Sequence, residues 1–355
     1  MQQEWLTLPS GITVRDPGGG RYLIEGLLGK GEMGAVYLVR DRNSMNDLYA
    51  LKEVINPDQQ DRERFTFEGE ILKRLNHRAL PRVYRVFEND KLKRVYILMD
   101  YSKGRNLEDL RGEEPESRFS LPLTLALMTP IVDALCYLHS QDPPIVHRDI
   151  KPANVIVPVG ADEAMLVDFG SAKFMLAGTA TVTSRHSPGY AAPEQYGSGT
   201  NPRTDVYGLG ATIYTLVTGT IPIDASSRVI RAWDKRSDLL KPTDILVPTI
   251  PKAIAQTLER AMSINSADRY ETVTEFWQTL NAFAALKRDQ VHIPRVTIED
   301  VKLPFTVSDT ERTLNQSPQE QSSPFLARRL ALILLAFLEL LVLLALVVYM
   351  LQHGL

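Results

Sequence analysis

The hydrophobic pattern of the chain changes near residue 100. Before that point, five short runs are rich in β-branched and aromatic residues, as strands are: residues 22–28, 35–40, 48–54, 83–87 and 95–101. One segment among them, residues 62–75, repeats apolar residues at helical spacing. Beyond residue 104 helical spacing dominates, over residues 121–139, 204–218, 252–262 and 272–285. The pattern predicts an α+β region with a small sheet-rich lobe followed by a larger helical lobe.

A long apolar run lies near the C-terminal end. In residues 330–351 only Glu339 is neither apolar nor aromatic. A helix of this length extends roughly 33 Å at about 1.5 Å per residue, enough to cross a hydrocarbon core of about 30 Å. Arg328 and Arg329 precede the run and residues 352–355 carry neither Lys nor Arg, so the positive-inside rule places the preceding residues in the cytoplasm. The sequence predicts a single-pass membrane protein with a short extracytoplasmic tail at 352–355; a buried core helix is the alternative.

Composition divides the remaining residues. Residues 1–20 form an N-terminal extension that ends in a turn-rich Asp-Pro-Gly-Gly-Gly stretch, in which we expect no regular structure. Residues 21–286 have the mixed pattern of a packed region. Residues 287–329 lose hydrophobic periodicity and gather Ser, Gln and Pro, which indicates a flexible juxtamembrane linker.

Charge and cysteine content exclude several classes of protein. There are 40 Lys and Arg residues against 43 Asp and Glu, a formal net charge of -3. This balance argues against a nucleic-acid partner bound by bulk positive charge. The single cysteine, Cys136, excludes an intrachain disulfide framework.

A glycine-rich segment joins the first two strand-like runs. Residues 29–34 read Gly-Lys-Gly-Glu-Met-Gly. Glycines let the backbone approach a polyphosphate closely, and their amides can hydrogen-bond its oxygens. A dinucleotide-binding turn would be followed by a helix, whereas residues 35–39 alternate like a strand, which disfavours that interpretation. A glycine-rich hairpin without a ligand remains an alternative for this motif alone.

Lys52 lies inside an apolar strand, after Ala50 and Leu51. An unpaired ammonium is costly to bury, so Lys52 needs an anionic partner, either a carboxylate or a phosphate. Glu68, on the predicted helix, is the candidate carboxylate. An ordinary edge-strand lysine with a surface partner is the alternative.

Two polar motifs follow in the larger lobe. Residues 147–154 read His-Arg-Asp-Ile-Lys-Pro-Ala-Asn, and residues 168–170 read Asp-Phe-Gly after an apolar run. Two carboxylates and an amide can supply a base and oxygen ligands for a hard cation such as Mg²⁺. The order and spacing of these motifs, after the glycine-rich segment and the strand lysine, are very rarely produced by chance.

With the sequence Ala-Pro-Glu at 192–194, these motifs make residues 21–286 resemble the protein kinase superfamily, and the bacterial serine/threonine kinases in particular. The resemblance implies a bilobal protein kinase fold, with an N-lobe at 21–100, a hinge at 100–104 and a C-lobe at 105–286; the apolar run at 330–351 adds one C-terminal transmembrane helix to this fold. It implies transfer of the γ-phosphoryl group of ATP to Ser or Thr of protein substrates. The implied cofactor is Mg²⁺, with Mn²⁺ as an alternative.

The resemblance also implies roles for individual residues. Asp149 would accept or orient the proton of the substrate hydroxyl, and Lys151 would neutralise charge on the moving phosphoryl group. Asn154 and Asp168 would bind the metal. The residues implied to contact or position ATP are Leu28, Gly29, Lys30, Gly31, Glu32, Met33, Gly34, Ala35, Val36, Ala50, Lys52, Glu68, Met99, Asp100, Tyr101, Ser102 and Ile156.

Within this set, the glycines would cover the phosphates, Lys52 would hold the α and β phosphates, and Glu68 would hold Lys52. Met99 would be the gatekeeper behind the nucleotide, and the backbone of residues 100–102 would bind the adenine edge. Other matches imply support of the fold: an ion pair between Glu194 and Arg269, an Asp205 that anchors the catalytic loop, and a hydrophobic column of Leu72, Tyr84, His147 and Phe169.

Regulation is also implied. Arg148 beside Asp149 is typical of kinases controlled by phosphorylation of the activation segment. The candidate acceptors are Thr179, Thr181, Thr183 and Ser184, of which Thr181 and Thr183 are favoured; a mobile polar loop without modification is the alternative. Ser187 is expected to contact Asp149 and Lys151 as part of the substrate site. Glu339 either faces a partner helix in a homodimer or lies in the span without a role in association.

Two other functions compete with a membrane-anchored protein kinase that autophosphorylates and signals. A pseudokinase or membrane scaffold would bind partners without phosphoryl transfer, but the intact Lys52, Asp149, Asn154 and Asp168 argue against it. A small-molecule kinase of related fold is disfavoured by the full segment 168–194. The physiological substrate and the activating stimulus cannot be derived from the sequence.

Overall fold

A computed structural model of the chain describes residues 7–31, 34–44, 47–55, 69–89, 92–160, 163–168, 173–174, 186–197, 199–233 and 237–284. The chain divides into two units, 1–304 and 305–355, and the described residues all belong to the first. Several predicted features lie outside the described residues: Glu32, Met33, Glu68, Phe169, Gly170, Thr179, Thr181, Thr183, Ser184, the linker and the apolar run at 330–351.

The N-lobe is built on an antiparallel sheet of six strands in the order β1-β2-β3-β4-β6-β5. The five strands predicted from the hydrophobic pattern are confirmed; four extend by one to four residues beyond the predicted run, and the fifth begins and ends one residue earlier than predicted. The strands are β1 Thr13–Arg15, β2 Arg21–Gly31, β3 Gly34–Asp41, β4 Leu48–Ile55, β5 Val83–Asn89 and β6 Arg94–Asp100. Of the predicted helix at 62–75, residues 69–75 are described, and residues 69–72 of these are helical.

The N-terminal extension contributes to this sheet. β1 pairs with β2, and the turn at 16–20 that follows β1 has no regular structure, as predicted. The Asp16 carboxylate accepts hydrogen bonds from Gly20 N at 2.9 Å and Tyr22 Oη at 2.8 Å, and it pairs with Arg85 at 2.5 Å. Burial raises the pKa of Asp16, but these partners together hold it below its usual value. The extension is therefore fastened to the outer edge of the sheet.

The C-lobe is mainly helical. The four helices predicted there are confirmed as α2, α3, α6 and α7; one shorter helix precedes them and two lie between α3 and α6. The helices are α1 Leu107–Glu113, α2 Leu121–His139, α3 Pro202–Thr218, α4 Ala225–Trp233, α5 Thr243–Leu246, α6 Lys252–Ala261 and α7 Val273–Ala284. Short strands at the base of the cleft are β7 Gly104–Asn106, β8 Ile145–Val146, β9 Val155–Pro158, β10 Met165–Leu166 and β11 Lys173–Phe174.

Two buried helices organise this lobe. The Ser120 side chain accepts a hydrogen bond from Leu123 N and begins α2, and Asn201 begins α3 in the same way through Arg203 N. α3 ends at Gly219, whose φ of 72° is readily adopted only by glycine. Among the described residues, one helix, α2, is long and apolar enough to cross a membrane, and 56% of its apolar window is buried inside the domain.

One continuous hydrophobic core connects the two lobes. It includes Ala50, Leu72 and Met99 of the N-lobe together with Val155 and Leu166 of the C-lobe. A second cluster covers the outer face of the N-lobe sheet. The cleft between the lobes therefore has an apolar back wall, in front of which the polar loops lie.

The predicted hydrophobic column is wrong at one position. The Tyr84 side chain is 39% exposed, and its hydroxyl donates to Asp100 Oδ1 at 2.7 Å. Its neighbour Val83 is 3% exposed and lies in the core with Leu72. The pairing of β5 with β6 has a bulge between Val83 and Arg85. Because of this bulge, side chains on the two sides of it do not follow one simple alternation between the faces of the sheet. His147 is buried as predicted.

Candidate active site

The loop at 147–154 connects β8 to β9 and is anchored by the buried Asp205 of α3. Asp205 Oδ2 accepts a hydrogen bond from His147 N, and Oδ1 accepts one from Arg148 N, both at 2.8 Å. His139 Nε2, at the end of α2, lies 2.8 Å from Oδ2. Arg148 has a φ of 71°, an uncommon conformation that these contacts stabilise. The predicted anchoring role of Asp205 is confirmed.

The surroundings of Asp205 favour the negatively charged form of its carboxyl group. Burial raises the pKa of Asp205, but the hydrogen bond and charge of His139, with His147 and the Arg148 amide, hold it below its usual value. Burial lowers the pKa of His147, so its imidazole is neutral at pH 7. His147 is thus part of the packing of the loop and does not serve as the base.

Asp149 lies at the centre of a network of four polar side chains. Asp149 Oδ2 accepts hydrogen bonds from Lys151 Nζ and Asn154 Nδ2, both at 2.9 Å. Ser187 Oγ donates to Asp149 Oδ1 at 2.6 Å and accepts from Lys151 Nζ at 2.7 Å. The predicted contacts of Ser187 are confirmed. The network shows that a hydroxyl can lie against Asp149 with an ammonium beside it.

Lys52 forms an ion pair with Asp168 across the cleft. The sequence predicted an anionic partner for Lys52 but proposed Glu68, which lies outside the described residues. Asp168 has a φ of 70°, which turns the chain sharply after β10. The contact was not predicted because residues 52 and 168 are distant in sequence, although Lys52 was assigned to the ATP phosphates and Asp168 to the metal.

Asn154 and Asp168 have the oxygen donors that a hard cation requires. Because Asn154 Nδ2 donates to the Asp149 carbonyl at 2.8 Å, its amide oxygen is the atom that can bind a metal. Within the described ranges, no cluster of three His, Cys, Asp or Glu side chains forms a complete metal site. One carboxylate and one amide oxygen fit Mg²⁺, which commonly takes its other ligands from water and nucleotide phosphates.

The apolar back wall borders the predicted adenine pocket. Ala50 and Met99 are buried and opposite one another in the β4–β6 register. Leu28, Val36 and Tyr101 are partly buried and pack against the same core, and Ile156 lies on β9. These apolar side chains are the ones that would contact an adenine between the sheet and β9.

The hinge residues have contacts that the sequence did not predict. Asp100 N donates to Arg82 O at 3.0 Å, and the Asp100 carboxylate accepts from Arg82 N at 2.9 Å. Ser102 Oγ contacts Met165 Sδ at 2.8 Å. Because the Asp100 amide is already bonded, an adenine would need other backbone groups of residues 100–102.

The glycines of the glycine-rich segment lie where β2 ends and β3 begins. In the strand register Gly29 lies opposite Val36, Lys30 opposite Ala35, and Gly31 opposite Gly34. A Cβ at Gly34 would lie 1.9 Å from Glu53 O, so a side chain cannot be accommodated there. The requirement for glycine at position 34 thus arises partly from close backbone packing.

The segment at 192–196 is fastened to the catalytic loop and to α3. Arg269 and Glu194 form a two-bond ion pair at 2.7 and 2.8 Å, as predicted, and Thr204 Oγ1 donates to the same carboxylate. Gln195 Nε2 donates to Arg148 O at 3.0 Å. Sequence reasoning missed Gln195, since a glutamine beside a known motif carries no distinctive pattern.

Comparisons with known proteins agree with this geometry. The model of the "Protein kinase domain" family matches residues 22–284. The chain is 30% identical to the probable serine/threonine-protein kinase PknB of Corynebacterium glutamicum, over 80% of this chain and 45% of that protein. It is 29% identical to the serine/threonine-protein kinase PknL of Mycobacterium tuberculosis, over 78% of this chain and 69% of that protein.

A solved structure is similar as well. The crystal structure of the Mycobacterium tuberculosis PknI kinase domain matches with a TM-score of 0.60 and 27% identity, covering 79% of this chain and 100% of that domain. The chain spans less than half the length of several curated relatives it matches, such as 47% of PksC of Streptomyces coelicolor. The family match nevertheless covers most of the chain and includes every motif described above. The chain therefore belongs to the protein kinase domain family.

Proposed function

We propose that the chain is an ATP-dependent serine/threonine protein kinase. The observation that carries the proposal is the contact of the Ser187 hydroxyl with Asp149 and Lys151, at 2.6 and 2.7 Å. A substrate Ser or Thr hydroxyl placed against Asp149 in the same manner would have its proton oriented toward a carboxylate. The names of the relatives, all serine/threonine kinases, support the same reaction.

The reaction forms a bond between the substrate hydroxyl oxygen and the γ-phosphorus. The bond between the γ-phosphorus and the oxygen that bridges the β and γ phosphates breaks, and ADP leaves. Asp149 orients the hydroxyl and takes its proton, while Lys151 neutralises negative charge on the transferred group. Catalysis of this kind depends on positioning and electrostatic stabilisation, which the rigid loop supplies.

ATP and Mg²⁺ would occupy the cleft between the glycine-rich hairpin and the catalytic loop. The metal, when bound, supplies positive charge to the β and γ phosphates; Asn154 and Asp168 would hold it. Lys52 binds phosphate oxygens from the sheet side. The carbon side chains of Val36, Ala50 and Ile156 exclude water from the adenine slot.

Autophosphorylation and membrane anchoring are further parts of the proposal. Arg148 immediately precedes Asp149, and an arginine at this position is the group with which a phosphate on the activation segment would pair. The run at 330–351, with Arg328 and Arg329 before it, supports a single cytoplasmic-facing anchor. We propose that the kinase domain is cytoplasmic and signals from the membrane, and that a homodimer through Glu339 is one form it can take.

We expect Asp149→Asn to lower phosphoryl transfer by about 10²-fold or more, because the neutral amide cannot take the proton. Radiolabelled ATP and a generic basic protein provide the assay for the full-length chain. Circular dichroism and thermal unfolding should match the wild type, which separates lost chemistry from lost folding. Absence of transfer by a folded wild-type protein with Mg²⁺ would contradict the proposed function and favour a scaffold.

Autophosphorylation predicts phosphate on residues 171–187 of the active wild-type protein, and none on Asp149→Asn incubated alone. Peptide mass spectrometry after incubation with ATP measures this. Alanine at Thr179, Thr181, Thr183 and Ser184 together should lower activity toward the basic protein. An unmodified segment in an active enzyme, with full activity of the fourfold variant, would overturn this part of the proposal.

Membrane anchoring predicts that the chain sediments with membranes after expression and resists extraction by alkaline carbonate. A chain ending at residue 329 should lose that resistance, because the apolar run is the anchor. Protease added to intact cells should leave the kinase domain uncut. If alkaline carbonate released the full-length chain from the membranes, the apolar run would not span the bilayer.

A further inference from the structure

Glu53 is a buried carboxylate beside Lys52. The two residues are consecutive on β4, so their side chains point to opposite faces of the sheet. Lys52 reaches Asp168 in the cleft, whereas the Glu53 side chain has no exposed surface on the other face. Charged side chains are almost never fully buried unless they are paired. The reaction steps described above do not use Glu53.

The Glu53 carboxylate joins β4 to both neighbouring strands. Its Oε2 accepts a hydrogen bond from Tyr37 Oη on β3 at 2.8 Å, and its Oε1 accepts one from Tyr96 Oη on β6 at 3.1 Å. Arg94, also on β6, forms an ion pair with the same Oε1. β4 is thereby held from both sides at the position next to Lys52.

The charges in this cluster support one another. Burial alone lowers the pKa of Arg94, but the charge and hydrogen bond of Glu53 outweigh that effect and leave the pKa raised. Burial, and then the bond to Glu53, raise the pKa of Tyr37 to about 12, so its hydroxyl keeps its proton at neutral pH. Tyr37 also accepts a hydrogen bond from Leu8 N at 2.9 Å, which connects the N-terminal extension to the cluster.

The backbone of Glu53 supports the glycine-rich hairpin. β3 begins at Gly34, which lies opposite Val54 in the register with β4. A Cβ at Gly34 would lie 1.9 Å from Glu53 O, so the backbone at the start of β3 lies directly against this peptide. A displacement of β4 at Glu53 would therefore move both Lys52 and the hairpin that covers the phosphates.

We propose that Glu53 is a positioning residue for phosphoryl transfer: its carboxylate ties β4 to β3 and β6 and so keeps Lys52 Nζ and the glycine-rich hairpin in place over the ATP phosphates. The proposal rests on the proposed function and adds to it a residue that touches neither ATP nor substrate. Its effect is on nucleotide binding geometry, since Lys52 and the hairpin contact ATP and not the protein substrate.

Glu53→Gln tests the proposal. The amide keeps the size of the side chain but leaves the partly buried Arg94 without its counter-charge. We expect kcat/KM for ATP to fall about tenfold, mostly through a higher KM for ATP, because small displacements of positioning groups have effects of this order. The KM for a peptide substrate should not change. A loss of stability alone would lower the active fraction and kcat while leaving both KM values unaltered.

Two controls separate positioning from stability. Asp238→Asn removes the partner of the buried Arg228, at 2.6 Å in the C-lobe, and should lower thermal stability without raising the KM for ATP. The double variant Glu53→Gln/Arg94→Gln removes the uncompensated charge, so it should recover stability but keep the raised KM. An unchanged KM for ATP in Glu53→Gln, or a KM that recovers together with stability, would overturn the proposal.

Milder variants cover the case in which Glu53→Gln does not fold. Tyr37→Phe and Tyr96→Phe each remove one hydrogen bond to the carboxylate and should raise the KM for ATP about two- to threefold. Normal KM values in both would contradict the proposal. If the wild type transfers no phosphate, the proposed function fails, and calorimetric Kd values for a non-hydrolysable ATP analogue with Mg²⁺ then test the positioning role on the same variants.

Discussion

The two hydrogen bonds from the catalytic-loop backbone to Asp205 are the constraint on which the active site depends. They hold the amides of His147 and Arg148 at 2.8 Å from a carboxylate that has no exposed surface. The next residue is Asp149, so the position of the proposed base is set by α3, the most thoroughly buried helix of the described C-lobe. A loop rich in polar groups is thus given the rigidity that catalysis by positioning requires.

Contacts to the same loop come from several elements that are distant in sequence. Gln195 bonds the Arg148 carbonyl, Thr212 bonds the Ile150 carbonyl at 3.1 Å, and Ser187 bonds Asp149. On the opposite side of the cleft, Lys52 reaches Asp168. The site is therefore a junction of α3, the segment at 186–196 and the N-lobe sheet. Glu53, with its partners Tyr37, Tyr96 and Arg94, is proposed to hold β4 in place, as Asp205 holds the loop at 147–154.

Much of the fold follows from hydrophobic spacing. The bounds of α2 were predicted to the residue and those of α3, α6 and α7 to within two residues, because an apolar, regularly spaced segment buries its apolar face in one way. β1 was not predicted, since three residues carry too little periodicity and depend on pairing with β2. The family resemblance placed Tyr84 in the hydrophobic column, but the structure places its neighbour Val83 in the core, at a β-bulge between Val83 and Arg85. Where two strands pair irregularly, the position of a residue along its strand does not determine the face of the sheet on which its side chain lies.

The site was predictable as a set of motifs, but not as a set of contacts. Side chains whose chemistry is unusual for their setting, such as Lys52 in an apolar strand, were identified by the cost of burying them unpaired. Its contact with Asp168 needed the fold, since 116 residues separate the two. Glu53 was missed because a single acidic residue in a strand resembles a solvent-facing one. Only the tyrosines and the arginine on neighbouring strands show that it is buried.

The most direct test of this account is the rate of phosphoryl transfer by Asp205→Asn, measured alongside its affinity for an ATP analogue with Mg²⁺. An asparagine can accept only one of the two backbone hydrogen bonds and presents an NH₂ group to the other amide. The account predicts that transfer falls about 10²-fold in a folded protein, while the Kd for the analogue stays close to that of the wild type. Transfer at the wild-type rate by folded Asp205→Asn would contradict the central role given to this carboxylate.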